Sequence, residues 1–427
     1  MRSGPDGRDT TNNSPLPFVL PGPPPMRETL AGWATWRTTR GAFTPAPHLD
    51  LAQWRTLSPR RRVLHDLHRA ATHANLPVLQ TPMSQAVAKL LRGRIENNAL
   101  KHKPTTRAGV MITGGGYQGK TETACEVAAD FEDRWLQLHQ YVNPDAIAGM
   151  RDLHAPVAYV QTPVTAKPKS TCKAILNFYG ADTKRMDLPD LVRQVAASLN
   201  DHGTKALILD DITRLRMHRV DDQDVLDLIR AFMSMHVTLV LIGVDILGSG
   251  LLREGRPDPR TGQWIMPPSR HAQAHGLEAT QTERRFDLVE LDRFRYETPA
   301  QIIAWTEHLA GVEHHLRLMA TTSGMLTSGT MPEYLYRRTN GVVGLLERLI
   351  EDGCREAMDT GTERLTESLL NDVALALTNA AGRDPSAGEI PAVPTPAAEA
   401  HDTSSARRKS RRNTVFDDHG RTADTGT

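Results

Sequence analysis

The stretch MITGGGYQGKTETACEVAADF, residues 111 to 131, sets three consecutive glycines ahead of a Gly-Lys-Thr. Gly114-Gly115-Gly116-Tyr117-Gln118-Gly119-Lys120-Thr121 satisfies G-x-x-x-x-G-K-[ST]. The glycines of that pattern let successive backbone N–H groups turn inward around phosphate oxygens, where a Cβ would intrude. Glycine at such density weakens any helix or strand, so the bare backbone points to a ligand. Lys120 supplies a point charge for the β- and γ-phosphates of a nucleotide, and the Thr121 hydroxyl can ligate Mg2+. A phosphate loop of this kind also needs a second strand ending in an acid that holds the metal's water shell. The run KALILDDITRLR provides it: Asp210 ends the strand and serves the metal, and Asp211 follows as the residue orienting the attacking water. Asp211 is one methylene shorter than glutamate, which retracts the carboxylate and points to slow hydrolysis.

These groups require a strand, a loop and a helix in that order. Ala108 to Ile112 reads as a short buried strand, and Ala124, Val127, Ala128, Phe131 and Trp135 recur at helical spacing after the loop. The helix start adds its own partial positive charge to the phosphate site. From 108 to 292 the runs GVMIT, PVAYVQTPV, KALILDD, VTLVLIGV and FDLVEL alternate with helical stretches or loops. Short, apolar, β-branched runs of this kind are strands buried on both faces of a parallel sheet. The expected fold is α/β, a P-loop core whose parallel sheet is flanked by helices. The polar, glycine- and proline-rich interval 248–282 reads as an irregular loop.

The flanks follow different patterns. Residues 1–50, with PLPFVLPGPPP, bury too little to offset their ordering entropy and are expected to be disordered. Residues 51–107 read as a helical extension, in which Thr81-Pro82 forms a helix start. Residues 293–382 turn helical again as a small lid domain, and 383–427 read as a disordered tail with the basic cluster ARRKSRRNT.

Lysine plus arginine, 51, nearly balances aspartate plus glutamate, 50, so no global field advertises a polyanionic partner, and any nucleic-acid surface is a local patch. The 3 cysteines lie far apart with no C-x-x-C, which fits a reducing cytosol and neither a disulfide scaffold nor a zinc site. No apolar run reaches the roughly 18–20 residues that span a bilayer, and the N-terminus lacks a signal-peptide layout. A cytoplasmic protein with no membrane partner is expected.

The phosphate loop, LILDD, a strand ending LIGVD, the arginine-bearing QTERRFDLVEL and a following helical lid together resemble AAA+ ATPases. Within these, LPVLQTPMSQAVAKLL, YVQTPVTAKPKSTCKAILNFYG and TNGVVGLLERLIEDGCREAMDTG are similar to the TniB/TnsC-type ATP-binding proteins of bacterial DNA transposition. The resemblance spans roughly residues 55 to 380. It implies ATP and Mg2+ as cofactors, with Lys120 and Thr121 on the phosphates and metal, Asp210 on the metal and Asp211 on the water. It also implies Asp245 near the γ-phosphate, although an acid there would repel it. Arg284 or Arg285 matches the arginine that reaches a neighbouring subunit's nucleotide. Gly344 stands where the lid's sensor arginine is expected, with Arg348 one turn later.

The same resemblance implies an ATP-dependent homo-oligomer, ring or filament, that assembles on double-stranded DNA and recruits or activates a transposase. Lys167, Lys169 and Lys173 among Ser and Thr suit sequence-neutral phosphate contacts, or form a solvated loop. Arg214, Arg216 and Arg219 form a second basic cluster. Arg60 to Arg62 and the cluster from Arg407 to Arg412 either touch DNA or keep the ends soluble. The alternatives are a nucleotide-switched signalling or scaffold ATPase that never touches DNA and a replication-initiator-type loader, against which stands the lack of a helix-turn-helix or winged-helix pattern after the lid.

Overall fold

Each of the five apolar runs becomes a five-residue strand, and all five join one parallel sheet. The computed structural model describes residues 22–145, 155–164, 167–214, 223–246, 256–257, 264–265 and 283–375. The chain opens with α1 (Leu30–Thr39), α2 (Leu51–Thr56), α3 (Pro59–Ala74) and α4 (Pro82–Ala99). The core follows as β1 (Gly109–Thr113), α5 (Lys120–Val142), β2 (Val157–Gln161), α6 (Pro168–Phe178), α7 (Leu188–Asp201), β3 (Ala206–Asp210), α8 (Gln223–Met233) and β4 (Thr238–Ile242). Two short antiparallel strands, β5 (Arg256–Pro257) and β6 (Trp264–Ile265), stand in the 248–282 interval, whose other residues lie outside the described ones. The core closes with β7 (Phe286–Glu290).

The strand order is β2-β3-β4-β1-β7, with every neighbour parallel. The path from β1 through α5 to β2 therefore skips two strand positions, which leaves room at the carboxyl edge beside β1, where α/β sheets bind ligands. Val110, Ile112, Leu207, Ile208, Val240 and Leu241 are fully buried in this sheet. Their β-branched and leucine side chains fill both faces, as the unbroken apolar runs require.

The stretch expected to form a lid contains α9 (Pro299–His315), α10 (Met331–Thr339), α11 (Val343–Asp359) and α12 (Glu367–Asn371). Leu346, Leu349 and Ile350 give α11 its buried stripe, and Trp305 on α9 donates Nε1–H to the Pro332 carbonyl at 2.9 Å. The run TESLLNDVALALTNA is helical only from Glu367 to Asn371 among the described residues, and 376–427, including the basic tail, lies outside them.

The helical extension divides between two neighbours. Helix α4 packs on α5, and its Arg94 reaches Asp287 of β7 at 2.6 Å. Its start carries the expected cap: Thr81 Oγ1 accepts the Ser84 N–H at 3.0 Å, with Pro82 in the first turn. Helix α3 instead packs on α11 of the lid, where Arg69 meets Glu363 at 2.7 Å.

Disorder across 1–50 does not hold for residues 22–50, and 1–21 lie outside the described residues. Helix α1 docks along α5. Trp33 is buried and donates Nε1–H to Glu132 at 2.8 Å, Arg40 reaches Glu126, Asp130 and Asp133, and Arg37 reaches Glu132 and Asp133. An acidic face on α5 and two tryptophans on α1 thus supply the burial that the local composition lacks.

Candidate functional site

The loop 114–121 leaves β1 through Gly114, at φ 154°, and enters α5 through Gly119, at φ 78°. Only glycine fits at 114, because an added Cβ would lie 2.2 Å from the Leu291 carbonyl oxygen. At Gly116 and Gly119 a Cβ would meet open space. Lys120 is buried inside the loop, with Nζ 2.5 Å from the Gly115 carbonyl. Burial pushes its pKa down, while the nearby Asp210 and Asp211 carboxylates oppose the shift.

At the end of β3, Asp210 is 4% exposed and accepts three hydrogen bonds. Its Oδ2 accepts the Thr121 hydroxyl at 2.7 Å and the Tyr159 hydroxyl at 2.8 Å, and its Oδ1 accepts the Asp211 N–H at 2.8 Å. The Thr121 hydroxyl gives its proton to Asp210 and keeps its lone pairs for a cation. A threonine hydroxyl and a carboxylate are the hard oxygen donors that Mg2+ takes alongside phosphates and water, so the residues present fit that ion. Asp211 sits in the left-handed region at φ 53° and accepts the Gln161 amide at 3.2 Å. Thr121 and Asp210 are thus in direct contact at the carboxyl edge of the sheet, with Lys120 and Asp211 beside them.

The other expected residues fall elsewhere. Asp245 is exposed just beyond β4, on the same edge, with φ 48°. Arg284 and Arg285 are exposed in the turn that starts β7. Because Phe286 pairs with Gly109, both arginines lie at the amino edge, a strand length of about 15 Å from this chain's own loop. Lys167 and Lys169 are exposed at the start of α6 and Lys173 is half-buried. Arg62 of α3 donates to the Leu57 carbonyl at the end of α2 at 3.0 Å and stacks on Trp54, which takes it from a free basic patch. Arg216 and Arg219 lie outside the described residues.

Three features of the site have no local sequence signal. Tyr159 reads as an ordinary strand residue. Arg27, on the strap before α1, is bidentate to Glu122 at 2.8 and 3.0 Å, directly after the phosphate loop. Gly344 approaches the loop itself. A cavity of about 680 Å³ opens beside the first turns of α5, between Glu122, Thr123 and Val127, the segment Asn75 to Gln80, and Trp36 of α1.

Residues 103–248 match the family described as AAA domain. No curated protein matches the chain significantly. Among solved structures, the chain is similar to the Orc1 protein of Aeropyrum pernix in complex with DNA, at 16% identity and TM-score 0.48, over 71% of this chain and 67% of that one. It is also similar to Cdc6p of Pyrobaculum aerophilum, at 13% identity and TM-score 0.43, over 69% and 67%. Drosophila ORC bound to DNA matches at 13% identity and TM-score 0.36, over 71% and 66%. No helix among the described residues is long and apolar enough to cross a membrane.

Proposed function

We propose, from an AAA-type P-loop ATPase domain built on a five-stranded parallel sheet, that this chain is an ATP-switched regulator of DNA transposition. In this reading it binds ATP and Mg2+, assembles as a homo-oligomer on double-stranded DNA, and recruits or activates a transposase of the kind that TniB/TnsC-type proteins serve. Hydrolysis is slow and stimulated by partners.

The observation that carries the nucleotide part is the Thr121–Asp210 contact of 2.7 Å beside a lysine held inside the glycine loop. Bound Mg2+ would supply charge neutralisation between the β- and γ-phosphates. Loop N–H groups and Lys120 hold the phosphates, Thr121 and Asp210 orient the metal's shell, and Asp211 aligns the attacking water. The cavity beside Thr123 and Val127 takes the nucleoside.

The placement of Arg284 and Arg285 supports assembly: they are exposed at the edge opposite their own loop, so any nucleotide they serve belongs to a neighbour. Exposed Lys167 and Lys169, where α6 begins, suit a DNA backbone tracked without sequence preference. The near-balance of charge, 51 against 50, favours a second reading in which the oligomer acts as a switch without DNA. Sedimentation with duplex DNA separates the two. Co-sedimentation that requires a non-hydrolysable ATP analogue is expected; ATP-dependent oligomers that leave the DNA in the supernatant would establish the second reading.

A further inference from the structure

The strap before α1 and the metal-binding carboxylate are joined by a closed circuit of contacts. Asp210 Oδ2 receives two hydroxyl protons, from Thr121 and from Tyr159. Thr121 belongs to the phosphate loop, whereas Tyr159 reaches across from β2 and is 3% exposed. A phenol carries one proton and an ionised carboxylate only accepts, so the Tyr159 O–H points at Asp210. The Tyr159 ring lies near-parallel to Trp33, centroids 6.2 Å apart, and the Arg27 guanidinium sits 5.5 Å from its centroid. Arg27 is bidentate to Glu122, the residue after Thr121. The circuit therefore runs Thr121, Asp210, Tyr159, Arg27, Glu122 and back along the chain to Thr121.

We propose that Tyr159 is a positioning residue for the Mg2+ site, fixing the rotation of the Asp210 carboxylate, and that the strap holds Tyr159 in place through Arg27. The proposal rests on the reading of Thr121 and Asp210 as the metal-orienting pair. A carboxylate that orients metal-bound water must present its free lone pairs in one direction, and its other hydrogen bonds set that direction. Thr121 and the Asp211 N–H pin Asp210 from the loop and from its own backbone; Tyr159 is the donor from a separate strand. Removing such an outer partner typically costs 10- to 100-fold in metal affinity or activity.

Tyr159→Phe keeps the ring, its stacking and the guanidinium contact, and deletes only the donor. The measurement is ATP affinity by calorimetric titration in EDTA and across a Mg2+ series, together with turnover over the same series. In EDTA the affinity is expected to equal the parent's, while the Mg2+ midpoint for tightening ATP binding and for turnover rises about 10-fold or more. Arg27→Ala is expected to move the midpoint the same way by a smaller factor, and it decides the question should the phenylalanine variant not fold. An unshifted midpoint in folded Tyr159→Phe overturns the positioning role, and one in Arg27→Ala overturns the part given to the strap. Thr121→Ala serves as the reference: if it too leaves the Mg2+ dependence unchanged, the metal reading itself falls, whereas a shift there with none at Tyr159 removes only this proposal.

Discussion

Gly344, in the first turn of α11, donates its backbone N–H to the Tyr117 carbonyl across 2.9 Å. The lid thus rests on the phosphate loop main chain to main chain. The N–H belongs to the first turn, where no helical carbonyl is available, so Tyr117 satisfies an otherwise orphaned donor. A Cβ at 344 would lie 2.8 Å from that carbonyl oxygen and 3.1 Å from the Tyr117 Cβ. The resemblance implies an arginine at this position; here a side chain would push α11 and the loop apart. Gly344→Ala is expected to weaken ATP binding, and Gly344→Val to weaken it more. Overpacking of this kind costs roughly 1–3 kcal/mol, or about 5- to 150-fold in affinity. Calorimetric titration checks it, and a valine variant with the parent's affinity would mean the lid stands clear of the bound nucleotide.

Arg69 of α3 meets Glu363 beyond α11 through two hydrogen bonds, 2.7 and 3.1 Å, and both side chains are buried. Glu363 also accepts the Met319 N–H at 3.0 Å. Glu363→Ala leaves the guanidinium with Asp66 at 2.7 Å and the Arg317 carbonyl at 3.2 Å, and strands the Met319 amide. A buried donor left without its acceptor costs about 1–3 kcal/mol, so a drop in the urea midpoint is expected. A shift under 1 kcal/mol would show that water reaches the pair.

Two buried histidines make the lid region acid-sensitive. His73 accepts the Arg317 N–H at Nε2, 2.9 Å, and burial, with Arg69 and Arg317, pushes its pKa down to about 4. Burial alone pushes His308 down to about 4. An unfolded histidine titrates near 6.5. The folded state therefore binds protons less readily, so the contribution is complete above pH 6.5 and is lost as pH falls from 6.5 to about 4. Each group should cost about 2 kcal/mol of stability at pH 5 relative to pH 7.5. His308→Leu is expected to flatten the decline in melting temperature over that window. A variant whose slope matches the parent's would show that His308 stays solvated.

The parts of this molecule that could be read from sequence are those whose partners lie within one turn or one strand. GVMIT and KALILDD carry their burial in their own composition, the loop carries its glycines, and Thr81 caps a helix three residues away. What escaped the reading depends on distant complementarity. Arg27 and Trp33 sit among prolines and glycines, and their acidic partners on α5 lie some 95 and 99 positions on. Tyr159 is indistinguishable from any aromatic in a buried strand until β2 pairs with β3 and places its hydroxyl on Asp210. Gly344 read as a missing arginine, because the closeness of the loop is a property of the packed lid and of no local pattern.

Turnover is the quantity that separates a motor from a timer. Asp211 is one methylene short of glutamate, sits in the left-handed region at φ 53°, and is tied to Gln161 at 3.2 Å. Misplacing a water-orienting group by about 1 Å costs around 100-fold. The resemblance places an arginine where Gly344 stands, and such a contact can be worth roughly 1,000-fold in rate. Arg348, one turn on, is turned to solvent 3.7 Å from Asp352 and does not replace it. Both departures act on hydrolysis, while the loop, Lys120, Thr121 and Asp210 that serve binding are complete. Tight binding with slow, DNA- or partner-stimulated turnover is expected, so that ATP marks a lifetime on the DNA. Lys120→Ala should lose ATP affinity outright, because the phosphates lose their cation. Asp211→Asn should keep affinity within about 2-fold, slow turnover by about 100-fold, and lengthen the life of the ATP-bound assembly. Steady-state phosphate release with and without DNA measures all of this, and basal turnover already at tens per second would make the protein a motor.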